Sequence, residues 1–119
     1  MKNLQLSLKI KWFEMTKSGI KTEDYREITP YWIKRLINND FSWDCKTIED
    51  INCHLNACPN GFFKKFSQNT ITLGYPKSGD TERILKLEHK GIEIGFGNTE
   101  WGAEEGKLYF IIKHGKIIN

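Results

Sequence analysis

The sequence predicts an α+β fold, most simply a small curled β-barrel of about six strands with short helices over its ends. Three observations lead there. Apolar residues alternate at the start of the chain, at Leu4, Leu6, Leu8 and Ile10. Helix-period segments, each with its own start and stop signal, then occupy most of the stretch before Gly61. From Asn69 onward alternation returns in successive runs divided by turn residues.

Each element follows from local chemistry. Residues 4–10 form the first strand. Residues 12–18 read as a short helix that turns Trp12, Phe13 and Met15 inward and stops at Gly19, a residue suited to ending helices. Residues 21–27 return as a strand. Thr29 is an N-cap and Pro30 a first-turn residue, after which Trp32, Ile33, Leu36 and Ile37 keep helical spacing as far as Asn38 and Asn39. A third helix is expected over 47–57, opened by Thr47 and Asp50 in a capping-box relation and striped by Ile48, Ile51, Leu55 and Cys58. Pro59, Asn60 and Gly61 close it. Strands over 69–75 (with Ile71, Leu73 and Tyr75 in alternation), 82–89, 91–96 and 107–114 complete the chain. A turn over 76–80 and a glycine-bounded loop over 97–106 connect them.

Bulk composition narrows the possibilities. A length of 119 residues suits one domain, spanning 1–119, with a modest core. Apolar content of 39% with 28% charged residues argues against disorder. Lys2, Lys9 and Lys11 interrupt the start, which lacks the apolar run of a signal peptide, and no later run is long enough to span a bilayer. With three cysteines, an odd number, and no secretory signal, the chain is expected in the reducing cytoplasm. The net charge of +3 is unevenly placed: residues 1–35 hold eight Lys/Arg against four Asp/Glu, and the rest ten against eleven.

Several constellations carry no function on inspection. Cys45, Cys53, His54 and Cys58 lack the short paired spacing of structural zinc sites, and helical geometry sets Cys53 and Cys58 about 140° apart. No metal and no cofactor is therefore predicted. "GFGNTEWG" misplaces the third glycine of a dinucleotide fingerprint and no helix signal follows it. His89 and His114, at strand positions, are expected to be packing or surface residues.

The chemistry concentrates in "SGIKTEDYREITPYWIKRL", residues 18–36. On a strand over 21–27, Thr22, Asp24 and Arg26 share one face, with Lys21, Glu23, Tyr25 and Glu27 on the other. Lys21 stands at the strand entry and can turn toward the cleft of Asp24 and Arg26. Asp24 is expected to pair with Arg26 and hold its guanidinium fork for a phosphate or a base edge. The plain alternative is an exposed ion pair of little worth.

"SGIKTEDYR", preceded by "LSLKIKWFEM" and followed by "TPYWIKRL", resembles the signature of the ASCH superfamily, domains similar to the PUA fold. The family pattern G-x-K-x-x-E-x-R is met by Gly19, Lys21 and Arg26, with Asp24 in place of the glutamate. "TLGYPK" and "EWGAEEGKLYFIIKHGKII" resemble late segments of small, phage-like members; residues 40–65 lie outside the likeness.

The resemblance implies a PUA-like barrel with a cleft that binds RNA or a nucleotide. Lys9, Lys21, Arg26 and Arg35 would meet phosphates, and Tyr25, Tyr31, Trp32, Tyr75 and Trp101 would offer stacking surfaces, with Glu100 beside them. Trp32 is the aromatic expected to be buried and Trp101 the one expected to be exposed. The alternative is a hydrolase of a modified nucleoside or of RNA. One branch of the family hydrolyses acetylated cytidine with a lysine at the position of Lys21, a threonine at that of Asp24 and a glutamate elsewhere. Lys21 and Asp24 would then be catalytic, but Asp24 departs from the threonine and would favour a charged amine over a neutral nucleophile.

Overall fold

The computed structural model describes residues 2–77 and 79–118, which form an α+β arrangement of five strands and a few short helices. The chain divides into two compact units, one of Met1–Tyr25 with Lys65–Asn119 and one of Arg26–Lys64.

The first unit is built on a curled, half-barrel sheet of order β1-β3-β4-β5-β2. Strand β1 (Lys2–Leu8) buries Leu4, Leu6 and Leu8 and runs parallel to β3 (Phe66–Leu73), with Leu6 opposite Ile71. Parallel neighbours need a long crossover. That crossover begins with helix α1 (Ile10–Lys17), which buries Phe13 and Thr16 and leaves Trp12 and Met15 half-buried. Ile10, expected to close the first strand, is the first helical residue and is 62% exposed. The helix ends where its glycine predicts: Gly19 takes φ 85, the left-handed region that glycine enters without steric cost. The backbone N–H of Lys21 then returns to the carbonyl of Met15 at 3.0 Å, and strand β2 (Glu23–Glu27) follows.

Strand β3 stops at Leu73 because Gly74 turns the chain at φ 65, so Tyr75, expected in the strand, lies outside it and is 97% exposed. The turn expected over 76–80 includes Ser78, which lies outside the described residues. The two strands expected at 82–89 and 91–96 are one: β4 runs Ile84–Phe96. Gly91, with φ 118, is a bulge rather than a turn. Five strands, not six, are therefore present among the described residues. The register of β4 with β5 (Leu108–Ile117) slips on both sides of His89, which bends the strand while β3 pairs with its first half. Tyr109, Phe110, Ile111 and Ile112 are all buried, so β5 is covered on both faces.

The second unit is helical. Helix α2 (Pro30–Leu36) is capped by Thr29, whose hydroxyl accepts from the Trp32 N–H, with Pro30 in the first turn as its fixed φ favours. A single turn, α3 (Asn39–Ser42), follows on an Asn38 cap that the sequence reading missed. Helix α4 (Ile48–Ala57) opens with the anticipated capping box of Thr47 and Asp50. Of its expected stripe only Ile51 is fully buried; Ile48, Leu55 and Cys58 are half-buried. No described helix is long and apolar enough to cross a membrane.

Candidate functional site

In the first unit a chain of polar side chains runs through the interior. Lys21 and Asp24, 3% and 1% exposed, form an ion pair through the Asp24 Oδ1 atom. The Lys21 Nζ also donates to the Glu23 carbonyl at 2.5 Å. The other Asp24 oxygen meets His114 Nε2 at 2.5 Å. His114 Nδ1 lies 2.7 Å from Asn69 Nδ2, and Asn69 Oδ1 lies 2.7 Å from His89 Nδ1. Where alternation pairs Asp24 with Arg26, the structure gives both Asp24 oxygens to Lys21 and His114.

The protons of this chain can be assigned by elimination. Asn69 Nδ2 also sits 3.3 Å from the Lys113 carbonyl oxygen, which can only accept, so that atom is the amide nitrogen and a donor. His114 Nδ1 must then accept from Asn69. The one ring proton of His114 belongs on Nε2 and is donated to Asp24. Asn69 Oδ1 can only accept, so His89 carries its proton on Nδ1. Every hydrogen bond points the same way, from His89 through Asn69 and His114 to Asp24. Among the described residues no buried side-chain nitrogen or oxygen lacks a partner.

Electrostatics bears on two members of the chain, Asp24 and His89. Burial alone would raise the Asp24 pKa, but the hydrogen bond from His114 and the charge of Lys21 outweigh it and hold the carboxyl at about 2. Asp24 is thus an anion at neutral pH, balanced by the Lys21 ammonium. Burial is the largest cause pushing His89 below its ordinary value, and it favours the neutral ring. With His114 the neutral donor that its hydrogen bonds assign, the five-residue chain carries an internal ion pair and no net charge.

Beside it lies a cavity of about 280 Å³, lined by Thr16, Gly19, Lys21, Thr22, His114 and Ile117 among others. Gly19 ends α1, Lys21 and Thr22 lead into β2, and His114 comes from β5, whose N–H donates to the Thr22 carbonyl at 2.9 Å. Tyr25 closes the other side of β2. Its hydroxyl donates to Glu23 at 2.9 Å and accepts from the Asn98 N–H at 2.9 Å, while burial leads in raising its pKa to about 12.

The remaining residues expected at the site are spread over both units. Lys9 is exposed at the N-cap of α1, Tyr75 and Glu100 are exposed, and Trp101, expected to be exposed, is half-buried in a short turn over Thr99–Trp101. In the second unit Trp32, expected to be buried, is half-buried instead. The guanidinium of Arg26 lies 5.2 Å from its ring centre and that of Arg35 4.9 Å. Tyr31 stands edge-on to Trp32 at 5.1 Å and is 61% exposed.

The structure therefore brings Lys21 and Asp24 together and adds His114, Asn69 and His89, which the sequence reading assigned no role. A signal was present: Asn69 alternates with Ile71 and Leu73, and His114 with Phe110 and Ile112, so both occupy the parity of core positions. No metal-ligating cluster of three or more His, Cys, Asp or Glu occurs among the described residues. Cys45 is buried, Cys58 half-buried and Cys53 exposed. Compared with known proteins, the chain matches no protein-family model, no curated protein and no solved structure.

Proposed function

We propose that the cavity beside Lys21 and His114 binds an uncharged nucleoside, free or as an unpaired base of RNA, in keeping with the ASCH-like, PUA-like motif around Gly19, Lys21, Asp24 and Arg26. The observation that carries this reading is the neutralised lysine. A lysine set to clamp phosphate presents an unbalanced charge; Lys21 is buried against a carboxylate held ionised to about pH 2. At about 280 Å³ its cavity falls just below the roughly 300–1,000 Å³ of small-molecule sites, with a few polar groups among apolar walls such as Leu87 and Ile117. That combination suits a planar, hydrogen-bonding group better than a phosphate. On this reading Lys21 holds the cavity wall rather than meeting a phosphate.

The hydrolytic reading gains less. An amine committed to Asp24 is a poor nucleophile, and both nitrogens of His114 are engaged, so neither is poised as a general base.

Calorimetric titration with the common nucleosides and their 5′-monophosphates tests the proposal. At least one nucleoside should bind, its monophosphate should bind no tighter, and affinity should change little with salt. Thr22→Phe, at an exposed residue lining the cavity, should abolish binding without unfolding the protein. A monophosphate bound at least tenfold tighter, with steep salt dependence, would reject the uncharged-ligand reading. Turnover of acetylated cytidine would establish the hydrolase instead.

A further inference from the structure

We propose that the outer edge of β4 between Gly91 and Phe96 is a docking site for an extended peptide segment of a partner protein. The partner strand carries apolar residues at alternate positions and basic residues at the end beside Phe96. The proposal does not rest on the cavity, whose lining residues lie outside this stretch.

Strand β4 outruns one of its neighbours. β3 pairs with it only from Ile84 to Glu88, whereas β5 follows it as far as Phe96. From Gly91 to Phe96 no strand lies on the outer side among the described residues, and no turn, loop or side chain there bonds to that backbone. In an antiparallel ladder every second residue turns its N–H and C=O away from the partner, so this edge presents a row of donors and acceptors. The usual protections are missing. The segment "GIEIGF" has no lysine or proline, and the register slips only before Gly91. Glu93, its one charge, is engaged by Lys113 at 3.1 Å.

The side chains suit the same use. The pairs Ile92–Ile112, Ile94–Phe110 and Phe96–Leu108 set an apolar row on one face. On β5, Phe110 and Ile112 are fully buried, but on β4 Ile92 and Ile94 are half-buried and Phe96 is 66% exposed. A strand added at the edge extends that row with its own alternate side chains and covers Phe96.

Charge selects the partner. Residues 94–106 contain Glu100, Glu104 and Glu105 and no lysine or arginine. Lys107 offsets Glu104 at 3.6 Å, while Glu100 and Glu105 are exposed. A Cβ on Gly97 would stand 2.6 Å from Ala103 Cβ, so this acidic loop folds back beside the Phe96 end of the strand. A second copy of this chain, paired antiparallel about Ile94, brings Glu88 together with Lys90 to that loop and gains nothing there. A basic peptide does gain. Antiparallel pairing is the more stable per residue, so the basic residues belong at the N-terminus of the peptide.

Fluorescence anisotropy of the whole protein with a labelled peptide of alternating valine and threonine, opened by two lysines, tests this. The peptide should bind, and bind more weakly with the lysines moved to its C-terminus or replaced by glutamates. Methylating alternate backbone nitrogens of the peptide should abolish binding in one frame and spare it in the other. Phe96→Lys, at an exposed position, should lower affinity about tenfold without moving the unfolding midpoint. Glu100→Lys should weaken the lysine peptide and strengthen the glutamate one. Thr22→Phe should change nothing. Unaltered affinity in Phe96→Lys, or equal binding of both methylated frames, overturns the proposal. Loss of peptide binding in Thr22→Phe would place the peptide in the cavity and overturn it as well. Failure of the lysine peptide to bind also overturns it, and dimerisation abolished by Phe96→Lys would then assign the edge to a second copy.

Discussion

Asp24 is the residue on which the interior depends, because one carboxylate satisfies both Lys21 and His114. Removing one partner of a buried ion pair leaves an uncompensated charge, so Lys21→Met should cost about 3 kcal/mol in chemical denaturation. Pairing it with Asp24→Leu should recover most of that loss, since replacing both charges by apolar groups is often neutral. Equal destabilisation by the single and double variants would show that the pair matters through packing alone. For the same reason loss of a function in Lys21→Met would not by itself identify a catalytic lysine. Lys21 and the acid three residues on were legible because they lie in one short segment. Their true partner was not: His114 is 90 residues from Asp24 in sequence, and no local pattern encodes that contact.

Elements were most readable where their signals are local. The α4 capping box and the Thr29–Pro30 start of α2 appear as read, because a cap involves residues only three apart. Thr47→Ala should therefore cost about 1 kcal/mol, and an unchanged unfolding midpoint would show that α4 is held by packing alone. The strands were harder. Gly91 resembles a turn but lies within a continuous ladder, since a bulge and a turn both call on a glycine at positive φ. Whether the strand continues depends on β3 and β5 on either side, which sequence periodicity does not reveal. The loop after β4 is set by close contact: a Cβ on Gly97 would stand 2.6 Å from Ala103 Cβ and 2.9 Å from the Tyr25 ring. Gly97→Ala should destabilise by about 1–3 kcal/mol and displace the Tyr25 hydroxyl from Asn98. A crystal structure of the variant with the Tyr25–Asn98 bond intact would contradict this.

For the whole molecule the buried chain predicts how stability follows pH. His89 has a lowered pKa in the folded state, so its contribution is complete above its unfolded value of about 6.5 and declines as pH falls below it. Asp24 is lowered to about 2, so its contribution is complete above roughly pH 4 and disappears between there and pH 2, about 2 kcal/mol in all. Stability should thus be level near neutrality, slip modestly below pH 6.5, and fall again below pH 4. Asp24→Asn should remove the acid step, and its persistence in that variant would assign it to other carboxylates.

The α+β class was legible from the order of periodicities, and so was the nearness of Lys21 to Asp24; that this pair borders a ligand site is our proposal. The neutral character of that site was not, because it depends on side chains from distant strands meeting in the interior. That character is what turns the reading from phosphate toward an uncharged nucleoside. Nitrogen NMR of the histidine rings at neutral pH tests it most directly. The structure predicts His114 as a neutral imidazole with its proton on Nε2 and Nδ1 unprotonated, accepting from Asn69. A His114 ring protonated on both nitrogens would place a net positive charge beside the cavity and contradict the account.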